Sequence, residues 1–162
     1  MPIFQLKQKF LSITERFEIK NENDQVVYLV DGKFFSIGKT FHLTSPDGVE
    51  LAEIKQKLFS FRPTFNITFV DGRSAQLVKT FLPLFKSRFL ISYAGRKLEV
   101  SGNFLSHEYQ FREASSIVAQ VSKKWFSFSD TYGLDVEDET LSQISLCILI
   151  AIDAIHHGRD NE

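Results

Sequence analysis

The chain has 162 residues, 43% of them hydrophobic and 24% charged, so it can bury the core of one domain. Nineteen basic and twenty acidic residues give a net charge of −1, which excludes a strongly basic nucleic-acid binder and a polyacidic tail. A single cysteine, Cys147, excludes an intramolecular disulfide framework and a multi-cysteine zinc site. Seventeen phenylalanines favour half-buried strands. We expect one β-rich domain over residues 1–162.

The N-terminal residues suggest where the protein works. Residues 1–7 lack a basic region followed by an apolar run, so no secretory signal is visible. Because the chain also carries one thiol and no disulfide framework, the cytoplasm is the expected compartment.

Alternation of apolar and polar residues with a period of two dominates the chain up to about residue 122. In the clearest run, Phe65, Ile67 and Phe69 share one face and the residues between them take the other. Similar runs cover roughly residues 3–10, 14–20, 25–30, 38–44, 49–59, 74–82, 87–93, 96–101, 104–112 and 115–122. With one more strand near residues 125–130, the pattern predicts about twelve strands.

Turn signals separate the runs, and two of them belong to a short internal repeat. Asp31-Gly32 and Asp71-Gly72 predict hairpin turns, because glycine accepts a positive φ. A Lys-Thr-Phe triplet follows each pair at the same spacing, so the two copies are offset by forty residues. Two hairpins with similar structural requirements explain this internal repeat, and an old duplication is the alternative.

A helix is predicted from Leu141 to Ile155, after an acidic stretch that suits a helix N-terminus. The run from Ile144 to Ile155 is apolar on nearly every side, so the helix is either buried all round or sits in a bilayer. A span needs roughly 20 apolar residues. This run has twelve and contains Asp153, so we predict burial inside the protein rather than a transmembrane segment.

A helix buried on every side needs other parts of the protein all around it, and the preceding strands can surround it by closing into a barrel. Closure also removes the exposed edges of the sheet. The predicted fold is therefore mainly β: a closed barrel of about twelve strands that encloses a C-terminal hydrophobic helix. Phenylalanine and aliphatic side chains point inward onto the helix, while lysine, glutamine, serine and threonine face water.

Motifs in the C-terminal third carry a resemblance to a known family, and the resemblance covers nearly the whole chain. The run Val121-Ser122-Lys123-Lys124-Trp125-Phe126, then Tyr132-Gly133-Leu134-Asp135-Val136 and the apolar helix, is similar to the signature of the LURP-one-related family. The bacterial YxjI-like members match best in size and layout. A Ser-Lys-x-Trp element before a hydrophobic helix also occurs in phospholipid scramblases, which are more distantly similar.

The resemblance implies a fold more firmly than a function. It implies a tubby-like architecture, a twelve-stranded barrel threaded by a C-terminal helix, and it does not imply an enzyme. Tubby-type domains are linked to phosphoinositides and scramblases to calcium and lipids, so the resemblance raises an anionic lipid as a ligand. A scramblase-like protein that inserts its helix in a membrane is a third alternative.

The sequence gives little support for a catalytic or metal-binding site. No His-Glu-x-x-His or Gly-x-Ser-x-Gly element occurs, and Cys147 lies in the apolar helix where it cannot act as a nucleophile. The acidic residues from Asp130 to Glu139 fail the spacing of a calcium loop. An ionised Asp153 is costly to bury, so we expect it to pair with a Lys, Arg or Tyr of the barrel wall, and a position at the barrel mouth is the alternative. We expect a non-enzymatic domain without a cofactor or metal.

The charge distribution offers one functional hypothesis. Six basic residues and no acidic one lie between Asp71 and Glu99, so anionic lipid headgroups are candidate ligands. The five that we propose for this site are Lys79, Lys86, Arg88, Arg96 and Lys97. Solvated outward positions on strands are the alternative. The expected function is a binding or scaffold domain, with an anionic phospholipid or a protein as partner and no nucleic acid.

Overall fold

A computed structural model describes residues 2–7, 16–35, 38–80, 88–126 and 130–157, and within them twelve strands surround one helix. The strands are β1 Ile3–Lys7, β2 Arg16–Asn21, β3 Val26–Phe35, β4 Gly38–Thr44, β5 Glu50–Gln56, β6 Thr64–Phe69, β7 Ser74–Thr80, β8 Arg88–Tyr93, β9 Arg96–Asn103, β10 Glu108–Glu113, β11 Ser116–Ser122 and β12 Thr131–Val136. A 3-10 helix, Glu139–Leu141, leads into helix α1, Ser142–His157.

The strands form a closed antiparallel barrel in which each strand pairs with its neighbours in the chain. The first strand closes the barrel against the last, with Phe4 opposite Leu134 and Leu6 opposite Tyr132. Closure leaves no exposed sheet edge that could pair with another chain. The predicted fold class is confirmed.

Helix α1 fills the barrel. Its residues from Leu146 to Ile150 have no exposed surface on any side, as an apolar helix inside a sleeve requires. The wall meets the helix with fully buried aromatic rings, which account for part of the phenylalanine excess: Phe41, Phe65, Phe89 and Phe111. The 18-residue segment Glu139–His156 is long and apolar enough to cross a membrane, but 78% of it is buried inside this protein.

The helix gives the barrel two distinct ends. It begins just after β12, where the Asp138 carboxylate accepts a hydrogen bond from the Thr140 backbone N–H and caps the 3-10 helix. At its other end, the Lys39 Nζ donates to the Ala154 carbonyl at 2.9 Å, a favourable place for a cation near a helix C-terminus. We call this second end the helix-exit end; the β5–β6, β9–β10 and β11–β12 connections lie there.

The motif that carries the family resemblance has a structural role. The Glu108 carboxylate accepts hydrogen bonds from the Ser122 hydroxyl and the Lys123 backbone N–H, both at 3.0 Å. Trp125 and Phe126 then fold over Gly133, where an added Cβ would lie 2.5 Å from the Phe126 ring. Glycine is therefore required in β12 because the two rings occupy the space of a side chain.

Two sequence predictions need correction. The twelfth described strand is Thr131–Val136, and a turn over residues 123–126 occupies the start of the predicted range 125–130. Residues 127–129 of that range lie outside the described residues. Asp31-Gly32 is not a turn, since β3 continues through it and Asp31 pairs with Arg16 on β2 at 2.9 Å. Asp71-Gly72 is a turn as predicted, with Gly72 at a φ of 96°. The two copies of the internal repeat therefore differ in structure, because one Asp-Gly pair lies within a strand and the other in a turn.

We predict that alanine substitutions on opposite faces of α1 are equally damaging. Leu146 and Ile148 point in opposite directions and both are fully buried, so Leu146→Ala and Ile148→Ala should each lower the free energy of unfolding by about 2–5 kcal/mol. Denaturant titration measures this. Leu105→Ala, at a 67% exposed position, is the control and should change it by less than about 0.5 kcal/mol. A helix with one solvent-facing side would leave one of the two variants unchanged.

Candidate functional site

The predicted basic residues do not form one patch among the described residues. Lys86 lies outside the residues that the structure describes. Lys79 sits on the inward face of β7 beside Leu77 and is only 5% exposed, so its ammonium group does not face solvent. Period-two alternation places Lys79 on the core face, where the sequence analysis expected an outward lysine.

The other three basic residues stand apart or are paired. Arg88 donates to Glu99 at 2.8 Å, and Arg96 forms a two-pronged ion pair with Glu113, with both N···O distances 2.7 Å. Arg88 lies opposite Ser101, five residues along β9 from Arg96, which separates the two arginines by about 17 Å. Lys97 is exposed. The sequence could not show these pairings because they depend on the register of the barrel.

The barrel interior holds a buried polar cluster that joins three elements. Asp153 of α1 is 3% exposed and accepts a hydrogen bond from the Tyr132 hydroxyl of β12, so the predicted pairing with a tyrosine of the wall is confirmed. The His107 Nε2 lies 3.7 Å from the other carboxylate oxygen, and its ring stacks on Tyr132 at 4.1 Å between centroids. The Tyr109 hydroxyl is also buried and finds no hydrogen-bond partner among the described residues.

The electrostatics of this cluster follow from its burial. Removal from water raises the pKa of Asp153 to about 7, and the Tyr132 hydrogen bond opposes that shift. Burial first, and the Asp153 charge second, also raise the pKa of Tyr109 well above its usual range. His107, Tyr109 and Tyr132 are at most 2% exposed, so the cluster lies between helix and wall.

The most exposed apolar side chains lie in the β5–β6 loop, residues 57–63, at the helix-exit end. Phe59 and Phe61 are exposed to at least the full extent of a free side chain, at 102% and 107%. Lys57 and Arg62, both exposed, flank them. Within the described parts of the chain no carboxylate lies within ion-pair distance of Lys57 or Arg62. The loop therefore presents two aromatic rings between two unpaired cations.

The base of this loop is held in place by backbone hydrogen bonds. The Lys57 N–H donates to the Thr64 carbonyl at 2.8 Å, and the Lys79 N–H donates to the Pro63 carbonyl at 3.0 Å. Phe59 has a φ of +59°, which is strained for a residue with a large side chain. A strained backbone that holds an aromatic ring in water is typical of a contact surface.

Sequence reasoning missed this loop. Its residues were assigned to the ends of two strands, because alternation continues through the tip as Leu58, Phe59, Ser60 and Phe61. The available signal was the Arg62-Pro63 pair, since proline interrupts a ladder and favours a turn. Two further apolar side chains lie in neighbouring connections at the same end: Leu105, 67% exposed, and Trp125, 40% exposed.

We predict that Asp153 makes stability depend on pH. Its folded-state pKa of about 7 lies above the ordinary 3.8, so its contribution is complete at low pH and is lost as pH rises through 7. As pH rises from 5 to 8, wild type should therefore lose about 2–3 kcal/mol of unfolding free energy relative to Asp153→Asn, which carries no titrating group at this position. Urea titrations across this range measure the difference. Parallel pH profiles for the two proteins would contradict the prediction.

Comparison with known proteins agrees with this architecture. A solved Arabidopsis thaliana structure superimposes with a TM-score of 0.60 over 94% of this chain and 91% of that one, at 13% sequence identity, which shows a shared fold. The YxjI protein of Bacillus subtilis (strain 168) is 31% identical over 69 residues, 43% of each chain, so the match spans less than half of that relative. The sequence profile of the LURP-one-related family matches residues 3–153. The chain therefore belongs to the LURP-one-related family.

Proposed function

We propose that this protein is a non-enzymatic, cytoplasmic binding domain that docks reversibly on anionic membrane surfaces through the β5–β6 loop. The observation that carries the proposal is the pair of fully exposed rings, Phe59 and Phe61. They lie between Lys57 and Arg62, which are exposed and form no ion pair with another described residue. Rings of this kind enter the boundary between headgroups and acyl chains, and the cations remain beside the phosphates.

The barrel interior supports a role at the surface. Helix α1 occupies the space in which many barrels hold a ligand. The buried cluster around Asp153 is closed to solvent by the wall, and Cys147 has no exposed surface. Recognition by the described residues therefore takes place on the outside of the barrel, which favours a binding domain over an enzyme.

The energetics of the loop fit weak, reversible docking. Burying one phenylalanine side chain is worth roughly 1.5–3 kcal/mol, and each lysine or arginine near an anionic surface adds about 1 kcal/mol. Part of this gain is offset by the loss of free motion on binding. The anionic-lipid hypothesis from the sequence is thus retained with a different contact surface, because Lys79 is buried while Arg88 and Arg96 are paired.

Vesicle co-sedimentation tests the proposal. Wild type should sediment with vesicles of phosphatidylcholine and phosphatidylserine at low salt, less at high salt, and hardly at all with phosphatidylcholine alone. Phe59→Ser/Phe61→Ser should abolish binding because it removes the inserted apolar area. Lys57→Gln/Arg62→Gln should weaken it about tenfold or more and remove most of the salt dependence.

Matched controls lie at the opposite end of the barrel and on its side. Val49→Ser/Val70→Ser removes two exposed apolar side chains from other connections, and Lys97→Gln removes an exposed cation from β9. Both controls should bind like wild type. Failure of wild type to bind anionic vesicles at low salt would overturn the proposal, as would equal loss of binding in the Val49/Val70 control.

A further inference from the structure

We infer that His42, Glu50 and Glu53 form a zinc-binding site on the outer surface of β4 and β5. One ring nitrogen of His42 and one carboxylate oxygen from each glutamate all lie within 4.8 Å of one another. These groups are a mixed nitrogen and oxygen donor set. Zinc accepts that combination readily, whereas calcium and magnesium take oxygen ligands.

The strand register brings the three side chains together. His42 lies directly opposite Glu53 in the β4–β5 pair, so both project from the same outer face. Glu50 would face the interior in regular alternation. A register shift at Leu43/Thr44 places Glu50 opposite Thr44 instead, and its side chain reaches His42. Bulges of this kind redirect a side chain and are frequent beside functional sites.

The geometry leaves room for a metal without moving the backbone. Donor atoms around a tetrahedral zinc ion lie about 3.3–3.6 Å apart, so only small side-chain rotations are needed. The His42 and Glu50 side chains are 27% and 48% exposed, which leaves space beside them for an ion, while the strands fix their Cα positions. Three protein ligands leave one position open for water or for a ligand from a partner.

The His42 Nδ1 contacts the Glu50 Oε1 at 2.5 Å. This contact is an ion pair when the imidazole is protonated, and zinc replaces the proton when it binds neutral imidazole. The neighbouring Asp31, opposite His42 on β3, is engaged by Arg16 at 2.9 Å and does not compete for the ring.

Isothermal titration of the full chain with zinc chloride, after treatment with a chelator and at pH 7.5, tests the site. Wild type should bind one equivalent. His42→Ala and Glu53→Gln should each weaken zinc binding at least tenfold. The two substitutions lie on different strands, so if one variant fails to fold, the other still tests the site. Histidine ring NMR provides a separate readout, since the His42 signals should shift at one equivalent of zinc.

Two controls separate this site from adventitious binding. Glu22→Gln changes an exposed acid elsewhere, and His157→Ala removes a histidine at the end of α1; both should bind zinc like wild type. No binding by wild type would overturn the inference. Binding that survives His42→Ala and is lost in His157→Ala would also overturn it, because the metal would then belong to the C-terminus.

Discussion

The structure depends on one constraint, which is that a helix apolar on every side must be removed from water on every side. Residues from Leu146 to Ile150 have no exposed surface, and no single sheet or helix could cover them all. A closed barrel satisfies the constraint and also pairs the edge groups of its first and last strands. The same solution fills the interior with helix and phenylalanine rings, so interactions with other molecules move to the outer surface and the loops.

Two polar groups inside the barrel, the Asp153 carboxylate and the C-terminal end of the helix, have partners on the wall. Asp153 accepts a hydrogen bond from the Tyr132 hydroxyl and lies beside the His107 ring. At the helix C-terminus, the Lys39 ammonium group donates a hydrogen bond to a backbone carbonyl. Burial of a carboxylate raises its pKa, so the cluster contributes most when Asp153 is protonated. The family motif also has a structural role, since Trp125 and Phe126 cover Gly133.

The sequence predicted what short-range patterns determine. Period-two runs identified most strands, and the all-round apolar run identified the helix and hence the closed barrel. Long-range register decided the rest: it joined Arg96 to Glu113 and brought Glu50 to His42 through a bulge. The β5–β6 loop was missed for a related reason, because alternation alone cannot distinguish the end of a strand from an exposed tip such as Phe59-Ser60-Phe61.

Cys147 reports directly on the position of the helix, because it is the one thiol of the chain and lies in the middle of α1 with no exposed surface. Burial also raises the pKa of this thiol well above its usual range. Labelling with a thiol reagent at pH 8 should be at least 100-fold slower in the native protein than in guanidinium, where one equivalent reacts. A native protein whose thiol reacts as fast as that of the unfolded chain would contradict a helix enclosed by the barrel.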